Sequence, residues 1–543
     1  MIKNWIREKL IKTLDKMGIE EIPDFKIEIP LNNFGDYSSN IAFLLSKKLK
    51  QNPRNIALDI SKHLDDKDYF NKIEVAGPGF LNFFLNEKVY SEFLFFEYEN
   101  PQYWKKASNI RVLFEFASVN PTGPITIGHG RQAVYGDVLC NIFQTRGHSV
   151  EREIYLNNAG RQIRLLGRSL WVRYNNLFKN NYDIPEGGYK GEYLIQTAEK
   201  LKDEIKDKFV DKWDSSIADF FNQYAFEAMF EGMKETFDNL SIKFNNIFKE
   251  KSLVDDGSVD KVLKELKEKN LTYESEGALW FKVSKFKDEK DKVLIRSDGY
   301  YTYYLTDIAY HINKYNRNYE KAYDIFGADH VGHLDRMYAA LDAFDIPESF
   351  LIFILHQYVN LKKNGEIIKM STRAGNFETL DDLVTAVGKD ATRYFFARFD
   401  PDTQMLFDID LAKQKTNENP VFYVQYAHAR ISNIFKNAAE KNILFDEIPV
   451  IKNLSSEEEK NLIKEIDRFE EILDSILIDY KINKLTNYLE SLASFFHSFY
   501  SKHIIVDEND IKTTKERLAL CKAVQNTLKG GLSLLGVSAP ENM

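Results

Sequence analysis

The stretch "VNPTGPITIGHGRQAVYGD", Val119 to Asp137, decides the fold because it joins an apolar segment to an amphipathic one. The preceding "IRVLFEF" (110–116) predicts a buried strand, and "GRQAVYGDVLCNIFQTRG" (130–147) predicts a helix that ends at Gly147. "HSVEREIYL" (148–156) predicts the next strand. Strand, loop, helix and strand in this order are typical of a doubly wound parallel sheet. We expect the inward-facing side of this helix to carry Ala133, Val134, Val138, Ile142 and Phe143.

Composition narrows the class of protein. A chain of 543 residues predicts several domains, and a net charge of -9 argues against a protein that coats polyanions non-specifically, although a local basic groove stays compatible with it. The two cysteines, Cys140 and Cys521, form no CxxC pair, so neither a disulfide framework nor a cysteine zinc site is indicated. The charged N-terminal segment predicts an amphipathic helix, and we expect no membrane span and a cytoplasmic enzyme.

Three domains are predicted along the chain. Residues 1–105 predict an α+β unit, in which Asp36, Ser38 or Ser39 caps a helix. Residues 106–400 predict an α/β domain with a helical insertion at about 160–275, and residues 401–543 predict an all-α domain. After the insertion the sheet is expected to resume at "ALWFKV" and "VLIRSDG" and to continue through "YDIFGAD" and "FLIFILHQYVNL".

His129 is the candidate for chemistry in the opening stretch. It is predicted at a helix start, where unpaired backbone N–H groups suit phosphate, and Gly128 and Gly130 would let a ligand approach the backbone. Gly128, Gly130 and Ala133 also satisfy the GxGxxA pattern of dinucleotide-binding oxidoreductases, with Glu151 or Glu153 near the ribose-binding distance. A proline-stiffened loop separates this pattern from its strand, which weakens that alternative.

A second motif favours a polyphosphate ligand. In "GEIIKMSTRAGNFETLDDL", Gly365 to Leu383, Lys369 lies among small polar residues between two glycines. A lysine ammonium is a mobile point charge suited to polyphosphate. Together with His129, this lysine favours a binding site for a polyphosphate ligand over a solvated surface turn.

The motifs "ITIGHG" and "KMSTR" resemble the two signatures of class I aminoacyl-tRNA synthetases. The longer strings "EFASVNPTGPITIGHGRQAVYGDVL", "NNAGRQIRLLG", "KMSTRAGNFETLDDLV", "NPVFYVQYAHARI", "NFGDYSSNIAF" and "VAGPGFLNF" are similar to the arginyl-tRNA synthetase family in particular. The resemblance implies a Rossmann-type catalytic domain, an N-terminal domain that contacts the tRNA elbow and a helical anticodon-binding domain. It also implies ATP with Mg²⁺, L-arginine and tRNA(Arg) as substrates, a monomer, and arginine activation that needs bound tRNA.

The resemblance assigns site residues. The catalytic candidates are His129, Lys369 and Thr126, and the ATP-binding candidates are Gly128, His129, Gly130, Lys369, Met370 and Ser371. The arginine-binding candidates are Glu115, Asn120, Tyr303, Asp307 and Asp329. The residues support a cationic substrate independently, since Glu115 ends an apolar strand and Tyr303 and Asp307 would share a helix face. Without the resemblance, Asp307 could equally be a first-turn residue of a helix capped by Thr306.

Departures from the family pattern concern Thr126, where the first histidine of the signature usually stands, Thr372, which replaces a lysine, and Asn158, where aspartate is common. His330 and His333 form an HxxH pattern, but no third ligand is obvious beyond Asp329 or Asp335, so we expect no zinc and favour a crevice-lining role for the histidines. A synthetase for another amino acid and a non-catalytic tRNA-binding relative are the nearest rival functions.

Overall fold

The structure is a computed structural model that describes residues 1–30, 34–64, 66–158, 160–286, 290–368, 379–445, 451–452 and 454–543. Within these ranges, no helix combines the length and the apolar character needed to cross a membrane.

The N-terminal part is an α+β unit, as predicted. Its elements are α1 (Ile2–Lys16), β1 (Ile27–Glu28), β2 (Tyr37–Ser39), α2 (Ile41–Leu49), α3 (Pro53–His63), β3 (Phe70–Ala76), β4 (Phe80–Leu85) and α4 (Glu87–Glu99). The four strands form an antiparallel sheet in the order β1-β2-β4-β3. The predicted cap of α2 is wrong, because its N-cap is Asn40, and the Asp36 carboxylate instead accepts from the Leu85 N–H at 2.7 Å.

The central part contains the parallel sheet. Its elements are β5 (Arg111–Glu115), α5 (Ile127–Thr145), β6 (Ser149–Leu156), α6 (Gly160–Asn176), α7 (Glu192–Ile205), α8 (Ser215–Asn239), β7 (Asn246–Lys249), α9 (Lys251–Asp255), α10 (Ser258–Glu268), β8 (Thr272–Ser275), β9 (Ala278–Phe281), β10 (Lys292–Ile295), α11 (Tyr303–Asn316), β11 (Lys321–Gly327), α12 (Val331–Asp342), β12 (Leu351–His356), β13 (Val359–Lys363), β14 (Glu366–Ile368), α13 (Leu380–Val387), α14 (Lys389–Arg398), β15 (Met405–Asp408) and α15 (Ile409–Lys413). Short 3₁₀ helices cover Val283–Lys285, Ala328–His330 and Glu348–Phe350.

Five parallel strands form the main sheet in the order β12-β11-β5-β6-β7. The central strand β5 is buried from Val112 to Glu115, and the Phe114 ring stacks on Tyr323 of β11 with centroids 4.5 Å apart. All five residues predicted to face inward on α5 are buried. The doubly wound parallel sheet is therefore confirmed.

The sheet differs from the prediction at its far strands. Residues 246–249, expected inside a helical insertion, form β7 at the sheet edge beside β6. "ALWFKV" and "VLIRSDG" do not continue the parallel sheet, because β9 and β10 pair with β8 in a separate antiparallel sheet. The last strands, β13, β14 and β15, form a small mixed sheet.

The C-terminal part is helical, as predicted: α16 (Pro420–Glu440), α17 (Glu457–Asp467), α18 (Phe469–Asp479), α19 (Asn483–Lys502) and α20 (Ile511–Leu535). It is joined to the central part by Arg393, a fully buried residue of α14. The guanidinium donates to the carbonyl oxygens of Leu535 at 2.7 Å and Leu240 at 2.8 Å and to Asp137 at 2.5 Å. The domain boundaries near residues 105 and 400 stay predictions.

The N-terminal unit packs on the helical part. Asp467 of α17 accepts from the Ile2 N–H at 2.7 Å and from the Tyr37 hydroxyl at 3.1 Å. Glu97 of α4 is also buried there, and the Asn526 amide of α20 donates to it at 3.3 Å. Burial raises the pKa of Glu97 to about 7, although Asn526 and Lys522 favour its ionised form.

Glu97→Gln should therefore stabilise the protein at high pH. A carboxyl group with an ordinary pKa of 4.5 and a folded-state pKa of about 7 holds its proton more tightly in the folded state, so its ionisation destabilises the fold as pH rises through that window. We expect the free energy of unfolding of Glu97→Gln to exceed the wild-type value by about 2 kcal/mol at pH 8 and to match it near pH 4, below the ordinary pKa of 4.5, measured by urea unfolding. Glu92→Gln, on the exposed side of α4, is the matched control. An identical pH dependence in Glu97→Gln and wild type would contradict this assignment.

Candidate active site

The candidate site is a cleft at the carboxyl ends of β5, β6 and β7, where ligands bind in open parallel sheets. Its first wall is the loop 116–126. Ala117, fully buried, has a φ of 57°, a conformation unfavourable for a residue with a side chain. The Ser118 hydroxyl oxygen accepts from the Tyr155 N–H of β6 at 3.0 Å. These constraints hold the loop in one conformation as it leaves the sheet.

The loop delivers His129 to the first turn of α5. The helix begins after the N-cap Thr126, whose side chain makes no capping bond, so the Thr126 hydroxyl does not serve as an acceptor for the first-turn N–H groups. The Thr126 hydroxyl instead lies 2.9 Å from His129 Nδ1. Burial lowers the pKa of His129, with Asp329 opposing and His330 adding to this effect. The imidazole is therefore neutral at pH 7, and if Thr126 donates to Nδ1, its proton is on Nε2.

The two glycines beside His129 have different roles. The position of a Cβ on Gly128 is open, with only Thr126 Oγ1 within 4.0 Å. A Cβ on Gly130 would lie 2.4 Å from Leu380 Cδ1, and the Leu380 N–H donates to the Ile125 carbonyl at 2.8 Å. Gly130 thus lets α13 pack against the start of α5, while Gly128 leaves room for a ligand.

The second signature motif precedes α13 in the sequence. Lys369, Met370, Ser371 and Thr372 lie outside the described residues. The segment that contains them follows β14, which ends at Ile368, and precedes Thr379, whose side chain forms a capping box with Asp382 at the start of α13. The helix that follows the second motif, α13, is thus bonded to the loop before α5.

The second wall of the cleft is acidic. Glu250, directly after β7, accepts from the Tyr155 hydroxyl at 3.0 Å. Burial and the negative charge of Asp307 raise the pKa of Glu250 to about 7, against the effect of the Tyr155 hydrogen bond. Burial and the charges of Glu250 and Asp307 likewise raise the pKa of Tyr155. We call Tyr155, Glu250 and Asp307 the pocket; among the described residues, neither carboxylate is paired with a lysine or an arginine.

Glu115 lies below this pocket in a network of buried charges. Its side chain is 4% exposed, and Oε2 accepts from Lys314 Nζ at 2.5 Å. Lys314 also donates to both oxygens of Asp324 at 2.7 Å, and Asp324 lies 2.8 Å from His311 Nε2. Burial raises the pKa of Glu115 despite Lys314, and burial opposes the ionisation of Asp324, whose pKa Lys314 and His311 nevertheless keep low. Lys314 occupies Oε2, so Oε1 is the oxygen left for a ligand.

The remaining candidates surround the cleft. Asn120 is exposed in the loop 116–126, and Tyr303, 53% exposed, begins α11, which carries Asp307 one turn later. The N-cap of α11 is Thr302, so the alternative with Thr306 as cap is wrong. Asp329 is exposed and lies 3.7 Å from the adjacent His330.

His333 does not pair with His330. Its Nε2 lies 3.3 Å from Asp307 Oδ2, and its Nδ1 accepts from Arg336 Nε at 2.9 Å. Because Nδ1 is an acceptor, neutral His333 carries its proton on Nε2 and donates it to Asp307. His330 instead stacks on Phe326 with centroids 5.2 Å apart. The HxxH pattern therefore orients a carboxylate rather than presenting two imidazoles to one point.

The residues that the sequence did not single out are Tyr155, Glu250 and Lys314, whereas His333 was considered there only as half of the HxxH pattern. The signal that could have identified Glu250 is its position after "NIFK", where a carboxylate would follow a strand end, but that strand was not predicted.

A second cluster lies on the helical part, between α16 and α19. The Arg430 guanidinium lies 4.5 Å from the centre of the Tyr426 ring and 4.7 Å from that of Tyr500, and it donates to the Tyr426 hydroxyl at 2.7 Å. The three residues line an open cavity of about 590 Å³, with Ile504 71% exposed at its edge. A planar cation between accessible aromatic rings is suited to stacking on nucleic-acid bases.

Comparisons with known proteins agree with this geometry. The protein-family model described as "tRNA synthetases class I (R), catalytic domain" matches residues 97–428, "Arginyl tRNA synthetase N terminal domain" matches residues 2–85, and "DALR anticodon binding domain" matches residues 424–543. The parallel sheet, the signature at α5 and these matches define the class as the class I aminoacyl-tRNA synthetases.

Individual relatives identify the family within this class. The chain is 50% identical over 547 residues to "Arginine--tRNA ligase" of Thermotoga maritima and 40% identical over 551 residues to that of Bacillus subtilis, covering 100% of this chain in both cases and 100% and 99% of the relatives. The chain belongs to the arginyl-tRNA synthetase family. The solved arginyl-tRNA synthetase of Thermus thermophilus, 21% identical, shares the fold with a TM-score of 0.74, with all of both chains covered.

Proposed function

We propose that the cleft activates L-arginine with ATP and passes the arginyl group to the 3′-terminal ribose of tRNA(Arg), with the release of pyrophosphate and AMP. The protein is an arginine–tRNA ligase by family. The observation that carries the assignment to this cleft is the pair of neighbouring carboxylates, Glu250, which accepts from the Tyr155 hydroxyl, and Asp307, whose negative charge acts on both Glu250 and Tyr155. Two carboxylates in a partly desolvated pocket are what a guanidinium substrate needs.

Arginine would lie across the pocket. Asp307 and Glu250 would accept from the guanidinium, Tyr303 would cover it, and Oε1 of Glu115 with Asn120 would hold the amino-acid end. Asp329 would close the pocket beside His129. His333 supports this arrangement because its Nε2–H fixes Asp307 from the far side at 3.3 Å.

ATP would bind at the start of α5 as its Mg²⁺ complex, in which the phosphates hold the ion. Its phosphates would accept from His129 Nε2–H and from the first-turn N–H groups beside Gly128 and Gly130. Thr126 orients His129, which explains how a hydroxyl can stand where the family signature has histidine. Lys369, with Met370 and Ser371, would complete the site from the second motif.

The chemistry needs no general base in its first step. The arginine carboxylate attacks the α-phosphorus, the bond to pyrophosphate breaks, and His129 and Lys369 stabilise the negative charge that develops. The 2′-hydroxyl of the terminal ribose then attacks the arginyl carbonyl and AMP leaves. We also propose that the enzyme is a monomer in the cytoplasm and that bound tRNA is required for activation.

The pH dependence of arginine use tests the role of Glu250. Because the pKa of Glu250 is raised to about 7, the carboxylate is protonated below pH 7 and cannot pair with a guanidinium. We expect kcat/KM for arginine to fall about tenfold per unit below pH 7 and to be constant above it. Glu250→Gln should lose about 100-fold in kcat/KM at pH 8 and show no such limb, whereas Glu268→Gln, exposed on α10, should behave as wild type. If the fall in kcat/KM below pH 7 persists in Glu250→Gln, the titrating group is a residue other than Glu250.

Binding of tRNA tests the cluster on α16 and α19. Tyr426→Ala removes one ring that holds Arg430 and should raise the Kd for tRNA(Arg) by tenfold to about 100-fold, since one stacked base contributes about 1–3 kcal/mol. The kcat at saturating tRNA should be unchanged. Tyr273→Ala, exposed on β8, is the control. An unchanged Kd, measured by filter binding, would remove this cluster from the tRNA interface.

The experiment that tests the function as a whole is ATP–pyrophosphate exchange with each of the twenty amino acids, with and without tRNA. Exchange with arginine alone, and only when tRNA is present, is the expected result. Exchange with another amino acid would overturn the pocket assignment, and no exchange under any condition would indicate a tRNA-binding relative without this activity.

A further inference from the structure

A fully buried lysine lies below the arginine pocket and has no part in the mechanism above. Lys314 donates to Glu115 Oε2 at 2.5 Å and to both oxygens of Asp324 at 2.7 Å, and its ammonium lies 4.3 Å from the centre of the Tyr310 ring. The side chains of Lys314 and Asp324 are 0% exposed. A charge withdrawn this far from water is costly unless it is paired, so all three hydrogen bonds are needed to keep Lys314 there.

His311 completes the network. Its Nε2 lies 2.8 Å from Asp324 Oδ2 and its Nδ1 lies 2.7 Å from the main-chain carbonyl oxygen of Asp307. Both neighbours accept hydrogen bonds, so both ring nitrogens must carry hydrogen and the imidazole is cationic in this arrangement. The buried quartet of Glu115, Lys314, Asp324 and His311 therefore contains two anions and two cations and is neutral.

The quartet connects the two walls of the pocket. Glu115 ends β5, Asp324 is its register partner on β11, and Lys314 and His311 belong to α11, whose Asp307 is bonded to His311 through the main chain. The side chain of Glu115 and the backbone of Asp307 are thus linked by consecutive hydrogen bonds. A helix fixed in this way cannot slide along the sheet without breaking a buried ion pair.

We propose that Lys314 and His311 are positioning residues for arginine recognition, which fix α11 against β5 and β11 so that Glu115 and Asp307 keep one separation across the pocket. The inference rests on the proposed function, because it takes those carboxylates as the arginine ligands. Neither positioning residue touches the substrate, and both act through the residues that do.

The test compares kinetic constants with stability in the full-length enzyme. Lys314→Met should raise the KM for arginine about 100-fold in tRNA-supported ATP–pyrophosphate exchange, the cost of a displacement of about 1 Å, and leave the KM for ATP within about twofold. His311→Gln keeps the size of the side chain and should raise the KM for arginine about tenfold, so it tests the inference if Lys314→Met does not fold. Lys321→Met, at the opposite end of β11, is the matched control.

The double variant Lys314→Met with Asp324→Asn separates positioning from stability. It restores neutrality, so the midpoint of thermal unfolding should recover, whereas the KM for arginine should stay raised because Glu115 still lacks its partner. A KM for arginine that is unchanged in Lys314→Met and His311→Gln, or that recovers together with the unfolding midpoint, would overturn the inference. If wild type itself shows no arginine-dependent exchange, the proposed function fails instead.

Discussion

Asp307→Asn should lower kcat/KM for arginine about 1000-fold, with the loss mainly in the KM for arginine. The substitution keeps the shape and the hydrogen bond with His333 but removes a charge from a partly desolvated pocket. Truncating one partner of a buried charge pair costs about 2–5 kcal/mol, and 4 kcal/mol is about three orders of magnitude. The measurement is tRNA-supported ATP–pyrophosphate exchange over a range of arginine concentrations. The KM for ATP should change by less than about twofold, because ATP lies at α5 rather than at α11.

A matched variant makes the result specific. Asp342→Asn alters an exposed carboxylate near the C-terminal end of α12 and should leave every kinetic constant unchanged. Equal losses for arginine and ATP in Asp307→Asn would mean that the helix has moved, and an unchanged KM for arginine would assign guanidinium recognition elsewhere. Because Glu250 lies in the same pocket, Asp307→Asn should also lower the pH at which the arginine limb appears, since one anion beside Glu250 has been removed.

The centre of the fold was predictable because its signals are local. An apolar strand, a Gly- and Pro-containing loop and an amphipathic helix lie in order from Ile110 to Gly147, and each is stable for reasons contained in its own sequence. The edge strand β7 was missed because it has four residues and alternates half-buried and exposed positions, so no continuous apolar run distinguishes it from the charged helices around it. Strands β9 and β10 were assigned to the wrong sheet because an apolar run does not show which strand it pairs with.

The same difference between local and tertiary signals applies to the residues of the candidate site. Asp307 was identifiable from its spacing to Tyr303 and from the resemblance of the motif around it. Glu250 could not be found from "NIFKEKS", since it is one of several charged residues until β7 is paired with β6. Lys314 could not be identified from the sequence either, because a lysine on an amphipathic helix is normally exposed. Its burial against Glu115 and Asp324 is evident only from the tertiary structure.

The contact between Gly130 and Leu380 bears on the second signature motif. Leu380 occupies the space that a Cβ on Gly130 would fill, and its N–H is bonded to Ile125 in the loop before α5. The first described residues after the second signature motif are therefore attached to the loop before the helix start that would bind the ATP phosphates. The role of Lys369, which lies outside the described residues, stays a proposal.

Lys369→Ala should therefore reduce the rate of arginine activation about 1000-fold without a change in the free energy of unfolding. An ammonium group that pairs with charge developing on the leaving pyrophosphate stabilises the transition state more than bound ATP, and loss of one such group costs about 10²–10³ in kcat. The fall should be in kcat measured by exchange, with the KM for arginine unchanged since arginine binds at α11.

Lys321→Ala removes an equivalent charge at the far edge of the sheet and should have no effect. Lys369→Arg should recover only part of the rate, because a planar guanidinium does not reproduce the point charge of an ammonium. An undiminished rate in Lys369→Ala would remove this residue from the mechanism and leave His129 and the α5 N–H groups to stabilise the transition state.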